Sequence, residues 1–217
     1  GAMTTQRSVE TSSLVRSGWP LLAEAYRRVA TVRIRNQATV GGGLAHADPN
    51  QDPPPALLVL DASVTLASAT GDRTVPVSAL WTGYLETSIR PGEVLTGVTV
   101  PPQSSGGWAY LKFLPRTEDD YATVSVATLV QLDQAGVCSD ARVAVGSAGP
   151  TPIRAVKAEA LLRGERPSDT LLRQVAEQAR EEVDPIADFR GSAEYKRDMA
   201  AVFVRRALQQ AVERAGR

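Results

Sequence analysis

The sequence predicts an α+β fold: an antiparallel sheet with flanking helices, then a three-stranded sheet that carries a helix bundle. Three observations support this prediction. Short stretches of alternating apolar residues, typical of strands, recur between residues 64 and 147. Segments with helical periodicity occupy most of the chain after residue 153. Strands and helices do not alternate strictly, which disfavours a parallel sheet.

The first half of the chain begins with one predicted helix. Apolar residues recur at steps of three and four from Leu14 onward, and Pro20 suits the first turn of a helix over about 19–30. Three consecutive glycines interrupt the apolar stretch 34–44, and the proline-rich segment 47–55 is predicted to be a turn. The pattern then predicts a helical turn at 56–60 and strands at 64–67, 74–77 and 94–100.

A run of small and polar residues at 103–107 is the best candidate for an internal boundary. It divides the chain into two predicted domains, 1–106 and 107–217. In the second domain, alternation predicts strands at 108–114, 123–132 and 141–147, with a hairpin turn at 134–136. Helical periodicity predicts helices at 154–162, 169–182 and 193–214, with Ser168 and Ser192 as N-caps.

The composition excludes several functional classes. The chain has 24 Lys+Arg and 24 Asp+Glu, which argues against nucleic acid or an anionic membrane surface as the main partner. Cys138 is the only cysteine and His46 the only histidine, so an intramolecular disulfide, a thiolate cluster and a multi-histidine metal site are excluded. No apolar run approaches the roughly 20 residues of a transmembrane helix, and no secretory signal is recognisable, so a cytoplasmic location is expected.

The most informative local feature is the triple glycine at 41–43. Glycine lets a ligand approach the main chain without a Cβ in the way, and successive free N–H groups form a nest for a phosphate. Thr39 adds a hydroxyl group beside the glycines. The spacing matches neither the Walker loop nor the dinucleotide-binding fingerprint. A plain tight turn is the alternative interpretation of this segment.

The surroundings of the glycines resemble a known family. The segments 35–42 (Arg-Asn-Gln-Ala-Thr-Val-Gly-Gly), 44–49 (Leu-Ala-His-Ala-Asp-Pro) and 52–53 (Asp-Pro) resemble the second flavin-contacting motif of molybdenum hydroxylases. This family contains the carbon monoxide dehydrogenase medium subunits and the xanthine dehydrogenase FAD domain. Shorter matches follow in order over nearly the whole chain, at 83–84, 87, 91–95, 100–101, 110–112, 116–122, 146–152, 154–155, 159 and 191–197.

The resemblance implies a fold for each domain and roles for individual residues. The first domain would be the second part of an FAD-binding domain of the PCMH type, and the second a C-terminal domain of the CO dehydrogenase flavoprotein type. Asp52 would accept hydrogen bonds from FAD hydroxyl groups, and Leu95 would pack near the adenine. The diphosphate and ribityl region would contact backbone N–H groups and one hydroxyl group of Thr39, Val40, Gly41, Gly42 and Gly43.

The resemblance places two further residues at the flavin ring. Lys112 would lie near the pyrimidine edge, where a cation favours the reduced, anionic flavin. Tyr121 would lie against the ring where substrate or acceptor approaches, and Asp119 and Asp120 would shape the electrostatics there. Without the resemblance, Lys112 is interpreted as a solvated charge, Tyr121 as half-buried core, and His46 as structural or surface-exposed.

Two departures from the family pattern affect flavin binding. Gly43 stands where the family usually has Asn or Ser, which removes one side-chain contact to the flavin. Family members begin with a further subdomain that carries a separate Gly-Gly loop for the FAD pyrophosphate, and this part is absent. Residues 1–3, Gly-Ala-Met, read equally as the remnant of a cleaved tag and as native sequence from the middle of the domain.

The resulting interpretation is an oxidoreductase subunit that binds FAD and transfers electrons. Electrons would arrive from iron–sulfur clusters on a small partner subunit, fed by a molybdopterin site on a large one, and leave to a quinone, oxygen or a nicotinamide. The single cysteine and histidine require those metal centres to be on other chains. Two alternatives stay open: a truncated assembly or scaffold subunit without flavin, and a stand-alone flavin oxidase of the vanillyl-alcohol type, with His46 as the candidate for covalent attachment.

Overall fold

The computed structural model describes residues 1–103, 106–114, 116–117 and 119–216. Two predicted features, the boundary segment 103–107 and the acidic segment 116–122 with Glu118, include residues outside this set. Within the described residues the fold is α+β, with antiparallel sheets. This part of the chain contains no helix that is long and apolar enough to cross a membrane.

Short helices fill the first part of the chain: Gln6–Thr11 (α1), Ser13–Gly18 (α2), Pro20–Arg27 (α3), Val32–Gln37 (α4), Val40–His46 (α5) and Pro53–Val59 (α6). In four of them a hydroxyl group caps the first turn, from Thr5, Ser12, Thr31 and Thr39. The sequence predicts only α3 and part of α6, because helices of one or two turns contain too few repeats of the apolar pattern. The prediction of a glycine loop is wrong, because the glycines lie in α5.

The first sheet is formed by Ser63–Ser68 (β1), Gly71–Pro76 (β2) and Val94–Thr99 (β5), in the antiparallel order β2-β1-β5. All three predicted strands of this region are present. A small ribbon of Trp81–Gly83 (β3) and Glu86–Thr87 (β4) is not predicted, since such short strands show no alternation. Val77 begins a 3-10 turn and does not extend β2.

The second sheet consists of Gly107–Phe113 (β6), Val124–Leu132 (β7), Cys138–Gly146 (β8) and Ile153–Arg154 (β9), in sequential antiparallel order. The three predicted strands are present, and the two-residue β9 adds an edge. The helices Val156–Leu162 (α7), Asp169–Glu182 (α8) and Ala193–Ala215 (α9) follow. Both predicted N-caps, at Ser168 and Ser192, are confirmed.

The second sheet lies between two hydrophobic cores, which explains why β7 is apolar on both faces. Tyr110, Ala127 and Ala144 belong to the core that contains residues of α3, α6 and β1. The opposite face packs against α8 and α9. At one end of this face, Gly107 touches α9 so closely that a Cβ would overlap the carbonyl oxygen of Ala211.

Candidate cofactor-binding groove

A groove of about 600 Å³ lies between α4, α5, the start of α6 and β6. Binding cavities in proteins typically enclose roughly 300–1,000 Å³, so the groove has the size of a ligand site. The acidic residues Asp119 and Asp120 lie along it. The groove brings together six of the residues that the sequence predicts for the site: Thr39, Gly42, Gly43, Asp52, Lys112 and Tyr121.

The first turn of α5 forms one wall of the groove. Thr39 is the N-cap, and its Oγ1 accepts a hydrogen bond from the N–H of Gly42 at 3.1 Å. The N–H of Gly43 donates to the carbonyl oxygen of Thr39 at 3.0 Å. The threonine hydroxyl proton stays available for a ligand, because the cap uses the oxygen only as an acceptor.

The other two residues of this segment face the protein interior. The N–H of Val40 donates to Thr4 at 2.9 Å, and the N–H of Gly41 donates to Ala2 at 2.8 Å. A Cβ on Gly41 would lie 2.5 Å from the Cβ of Ala2. All four N–H groups of residues 40–43 therefore have partners within the chain, and the open nest that the sequence predicts is not formed.

Leu95 does not reach the groove. It lies on β5, pairs with Leu66 of β1 and is buried in the first core. The structure therefore places Leu95, which is predicted to pack near the adenine, in the hydrophobic core and not in the groove.

The opposite wall contains a buried ion pair. The ammonium group of Lys112 lies 2.9 Å from Oδ2 of Asp52, and the two side chains are 1% and 3% exposed. Lys112 Nζ also donates to the carbonyl oxygen of Arg28, and the hydroxyl of Tyr110 donates to Oδ1 of Asp52. Burial raises the pKa of Asp52 to about 6, although Lys112 and Tyr110 act in the opposite direction.

This pairing changes what Lys112 contributes to the groove. When both groups are ionised, the pair carries no net charge, so its field in the groove is weaker than that of a lone cation. The prediction of a lone cation beside the flavin is therefore modified: Lys112 and Asp52 form an ion pair in the wall of the groove.

Tyr121 lies at the mouth of the groove and is 42% exposed. Burial raises the pKa of its hydroxyl, the carboxylates of Asp48 and Asp52 add to this rise, and Arg190 opposes it. The guanidinium of Arg190 lies 5.6 Å from the centre of the Tyr121 ring, within the range of a cation–π contact.

The loop before α9 holds Arg190 in this place. Asp188 accepts hydrogen bonds from the backbone N–H and from Nη1 of Arg190, at 2.8 and 3.0 Å. The buried Lys196 lies 2.9 Å from Asp188 and also donates to the carbonyl oxygen of Ile186. Arg190 is therefore fixed between Asp188 and the Tyr121 ring.

Several groove residues are missed by the sequence reasoning. The side chains of Gln6 and Gln51 line the groove, although no motif marks them. His46 is exposed, as predicted, yet it also lines the groove, and its Nδ1 lies 3.3 Å from Nε2 of Gln51. Gln6 comes from the distant helix α1, so local sequence patterns around the glycines give no signal for it.

The described residues contain no group of three or more His, Cys, Asp or Glu side chains that could hold a metal ion. Burial and the nearby Asp140 raise the pKa of Cys138 to about 11. Its thiol is therefore protonated near neutral pH and is a poor nucleophile.

The lining fits a large ligand that has both an apolar face and hydrogen-bonding groups. Val29, Ile34 and the ring of Tyr121 supply apolar surface. The Oε1 of Gln6 is buried without a hydrogen-bond partner among the described residues. A buried acceptor of this kind is paired either by an ordered water or by a donor from a bound molecule. FAD combines a flat apolar ring with hydroxyl and N–H donors, so the residues present fit this cofactor.

Comparison with known proteins gives two family matches. Residues 1–103 match the FAD binding domain in molybdopterin dehydrogenase, and residues 109–211 match the CO dehydrogenase flavoprotein C-terminal domain. The 6-hydroxypseudooxynicotine dehydrogenase complex subunit alpha of Paenarthrobacter nicotinovorans is 37% identical over 99% of this chain and 73% of its own length. The xanthine dehydrogenase FAD-binding subunit of Escherichia coli is 30% identical over 100% of this chain and 74% of its own length.

The structural comparison agrees. Carbon monoxide dehydrogenase from Hydrogenophaga pseudoflava superposes with a TM-score of 0.95 at 37% identity, over 99% of this chain and 74% of that one. Both the predicted family resemblance and the α+β fold class are thereby confirmed. The chain belongs to the FAD-binding subunits of the molybdopterin dehydrogenases, the family of carbon monoxide dehydrogenase medium chains and xanthine dehydrogenase FAD-binding subunits.

Proposed function

We propose that this chain is the flavin-carrying electron-transfer subunit of a molybdenum hydroxylase and that the groove beside α5 holds part of the FAD. One observation carries the proposal: in a chain of this family, residues from positions 39 to 121 meet in one groove of about 600 Å³. FAD, when bound, supplies the uptake and release of electrons. The residues of the chain supply position, polarity and exclusion of water.

Each wall of the groove has its own task in this proposal. The main chain of Gly42 and Gly43, which lacks Cβ atoms, and the Thr39 hydroxyl accommodate the sugar–phosphate part of the cofactor. Val40 and Gly41 act indirectly, because their bonds to the first residues of the chain hold this wall in place.

The ion pair and the tyrosine act at the other wall. Each carboxylate oxygen of Asp52 uses one acceptor position for Tyr110 or Lys112, and the remaining positions are available to hydroxyl groups of the cofactor. Tyr121 covers the mouth of the groove and limits the approach of water and acceptor.

The proposal includes the partners, the domain division and the location. The relatives include a subunit of a dehydrogenase complex and medium chains of carbon monoxide dehydrogenase, which supports a hetero-oligomer with a small iron–sulfur subunit and a large molybdopterin subunit. The division into 1–106 and 107–217 is supported by the limits of the two family matches. A cytoplasmic location agrees with the absence of a membrane-spanning helix from the described residues.

A titration with FAD tests the cofactor assignment. The chain is produced with its partner subunits and with any sequence that precedes Gly1 in its gene, stripped of flavin, and titrated while flavin fluorescence is recorded. Saturable binding that Tyr121→Ala weakens supports the proposal, and Tyr84→Ala, at an exposed tyrosine outside the groove, is the matched control. Absence of saturable binding, or equal effects of the two substitutions, contradicts it.

One observation favours a second candidate, an assembly subunit without flavin. The four N–H groups of residues 40–43 are already bonded within the chain, so none is free for a phosphate. This candidate predicts that the three subunits purify together without flavin and that added FAD does not bind.

A further inference from the structure

The Gln6 carboxamide is held at the groove by its backbone. Its N–H donates to the carbonyl oxygen of Ala38 at 2.9 Å, next to the bridge between Thr5 and Thr39. Gln6 is only 5% exposed, and its Oε1 has no hydrogen-bond partner among the described residues. Buried polar atoms of folded proteins are nearly always paired, so an unpaired oxygen on a residue that lines a ligand-sized groove is a candidate partner for a ligand donor.

Gly43 makes room for this carboxamide. A Cβ built on Gly43 would lie 3.0 Å from Oε1 of Gln51 and 3.3 Å from Nε2 of Gln6. Gln51 Nε2 in turn donates to the carbonyl oxygen of Gly43 at 2.8 Å. Two carboxamides from different segments therefore meet over one glycine, and Gln51 is fixed there by its own hydrogen bond.

We propose that Gln6 is a cofactor-binding residue, whose Oε1 accepts a hydrogen bond from a hydroxyl or N–H group of the bound flavin nucleotide. Gly43 and Gln51 are positioning residues that keep the carboxamide against the groove. This inference rests on the proposed function and deepens it. The proposed hydrogen bond to the ligand replaces no hydrogen bond within the chain, because Oε1 of Gln6 has no partner among the described residues.

For Gln6→Met we expect opposite effects on the stability of the flavin-free protein and on its affinity for FAD. Without FAD, the substitution removes an unpaired buried oxygen and keeps the side-chain length, so stability against urea stays the same or rises. With FAD, one hydrogen bond is lost, and the dissociation constant increases about tenfold. A residue with a purely structural role would lower stability and affinity together.

Gln103→Met is the matched control, because the Oε1 of Gln103 is also buried without a partner but lies outside the groove. We expect Gln103→Met to leave FAD affinity unchanged. Gly43→Ala, which pushes both carboxamides away, is expected to weaken FAD binding without abolishing folding.

Urea unfolding of the flavin-free complex and fluorescence titration with FAD measure both quantities. The inference is overturned if Gln6→Met binds FAD as tightly as the wild type, or if its affinity falls only in step with its stability. A wild-type complex that binds no FAD contradicts the proposed function itself, and this result is known before any variant is compared.

Discussion

Lys112 Nζ and Asp52 Oδ2 lie 2.9 Å apart in a setting where neither side chain is more than 3% exposed. The two residues come from β6 and from the turn before α6, so the pair joins the second sheet to the first domain. Ion pairs of this kind depend on both partners, because the charge left behind has no water to stabilise it.

The two single variants are expected to differ in stability. Lys112→Met leaves a buried carboxylate without its partner and should lower the free energy of unfolding by about 3–5 kcal/mol at pH 7, whereas Asp52→Asn resembles the protonated acid that burial favours and should cost less. The double variant Asp52→Asn/Lys112→Met removes both charges and should recover part of this loss. Urea unfolding of the four proteins measures the coupling, and additive losses in the double variant would refute it.

The pKa of Asp52 predicts a pH dependence with a definite sign. Burial raises it from the ordinary 3.8 to about 6, so the unfolded chain loses this proton at lower pH than the folded protein. The proton that Asp52 binds more tightly in the folded protein stabilises the fold. This contribution is complete below about pH 4 and is lost as the pH rises through about 6. Wild-type stability relative to Asp52→Asn should thus fall by up to about 3 kcal/mol over this range.

Unfolding of both proteins from pH 4 to pH 8 tests this sign. The comparison with Asp52→Asn cancels the titration of the other carboxylates. A wild type that gains stability over the variant with rising pH would show that the ion pair outweighs burial and keeps the carboxylate charged.

The cap of α5 gives a prediction for Thr39. Thr39→Ala removes the acceptor for the N–H of Gly42, and loss of such a cap typically costs about 1 kcal/mol. Thr39→Ser keeps the hydroxyl group and should retain most of the stability and of the FAD affinity. Thermal unfolding and FAD titration provide the measurements, and equal behaviour of the two variants would exclude a role for the hydroxyl.

Close packing at Gly41 gives a further prediction. The methyl group of Gly41→Ala would collide with Ala2, so we expect a loss of about 1–3 kcal/mol in stability. Gly18→Ala is the control: no atom lies within 4 Å of its Cβ position, so this substitution should leave the stability nearly unchanged. A neutral Gly41→Ala would mean that the first residues move aside easily.

The sequence predicts those elements that are long enough to show their period. The strands β7 and β8 and the helices α8 and α9 are confirmed nearly to their ends, because each contains several repeats of its pattern. The helix α5 is not predicted, since glycine has a low helix propensity and hides the signal. The cap residue Thr39 is the one local sign that could have revealed this helix.

The candidate site is only partly predictable for a different reason. Family motifs identify Thr39, Asp52, Lys112 and Tyr121, and the structure brings these four to one groove. Local sequence does not show that Lys112 is neutralised by a carboxylate sixty positions away, or that Gln6 lies beside Gly43. Such pairings are created by tertiary contacts between distant segments, which produce no periodic pattern in the sequence.

The contact between Gly107 and α9 has a consequence at a distance from the groove. Strand and helix touch there backbone to backbone, with no layer of side chains that could yield, so α9 has little freedom to slide along the sheet. The first turns of the same helix carry Lys196, which anchors the loop of Arg190. The loop of Arg190, which faces Tyr121, is therefore attached to a 23-residue helix whose far end is held against the sheet by this backbone contact.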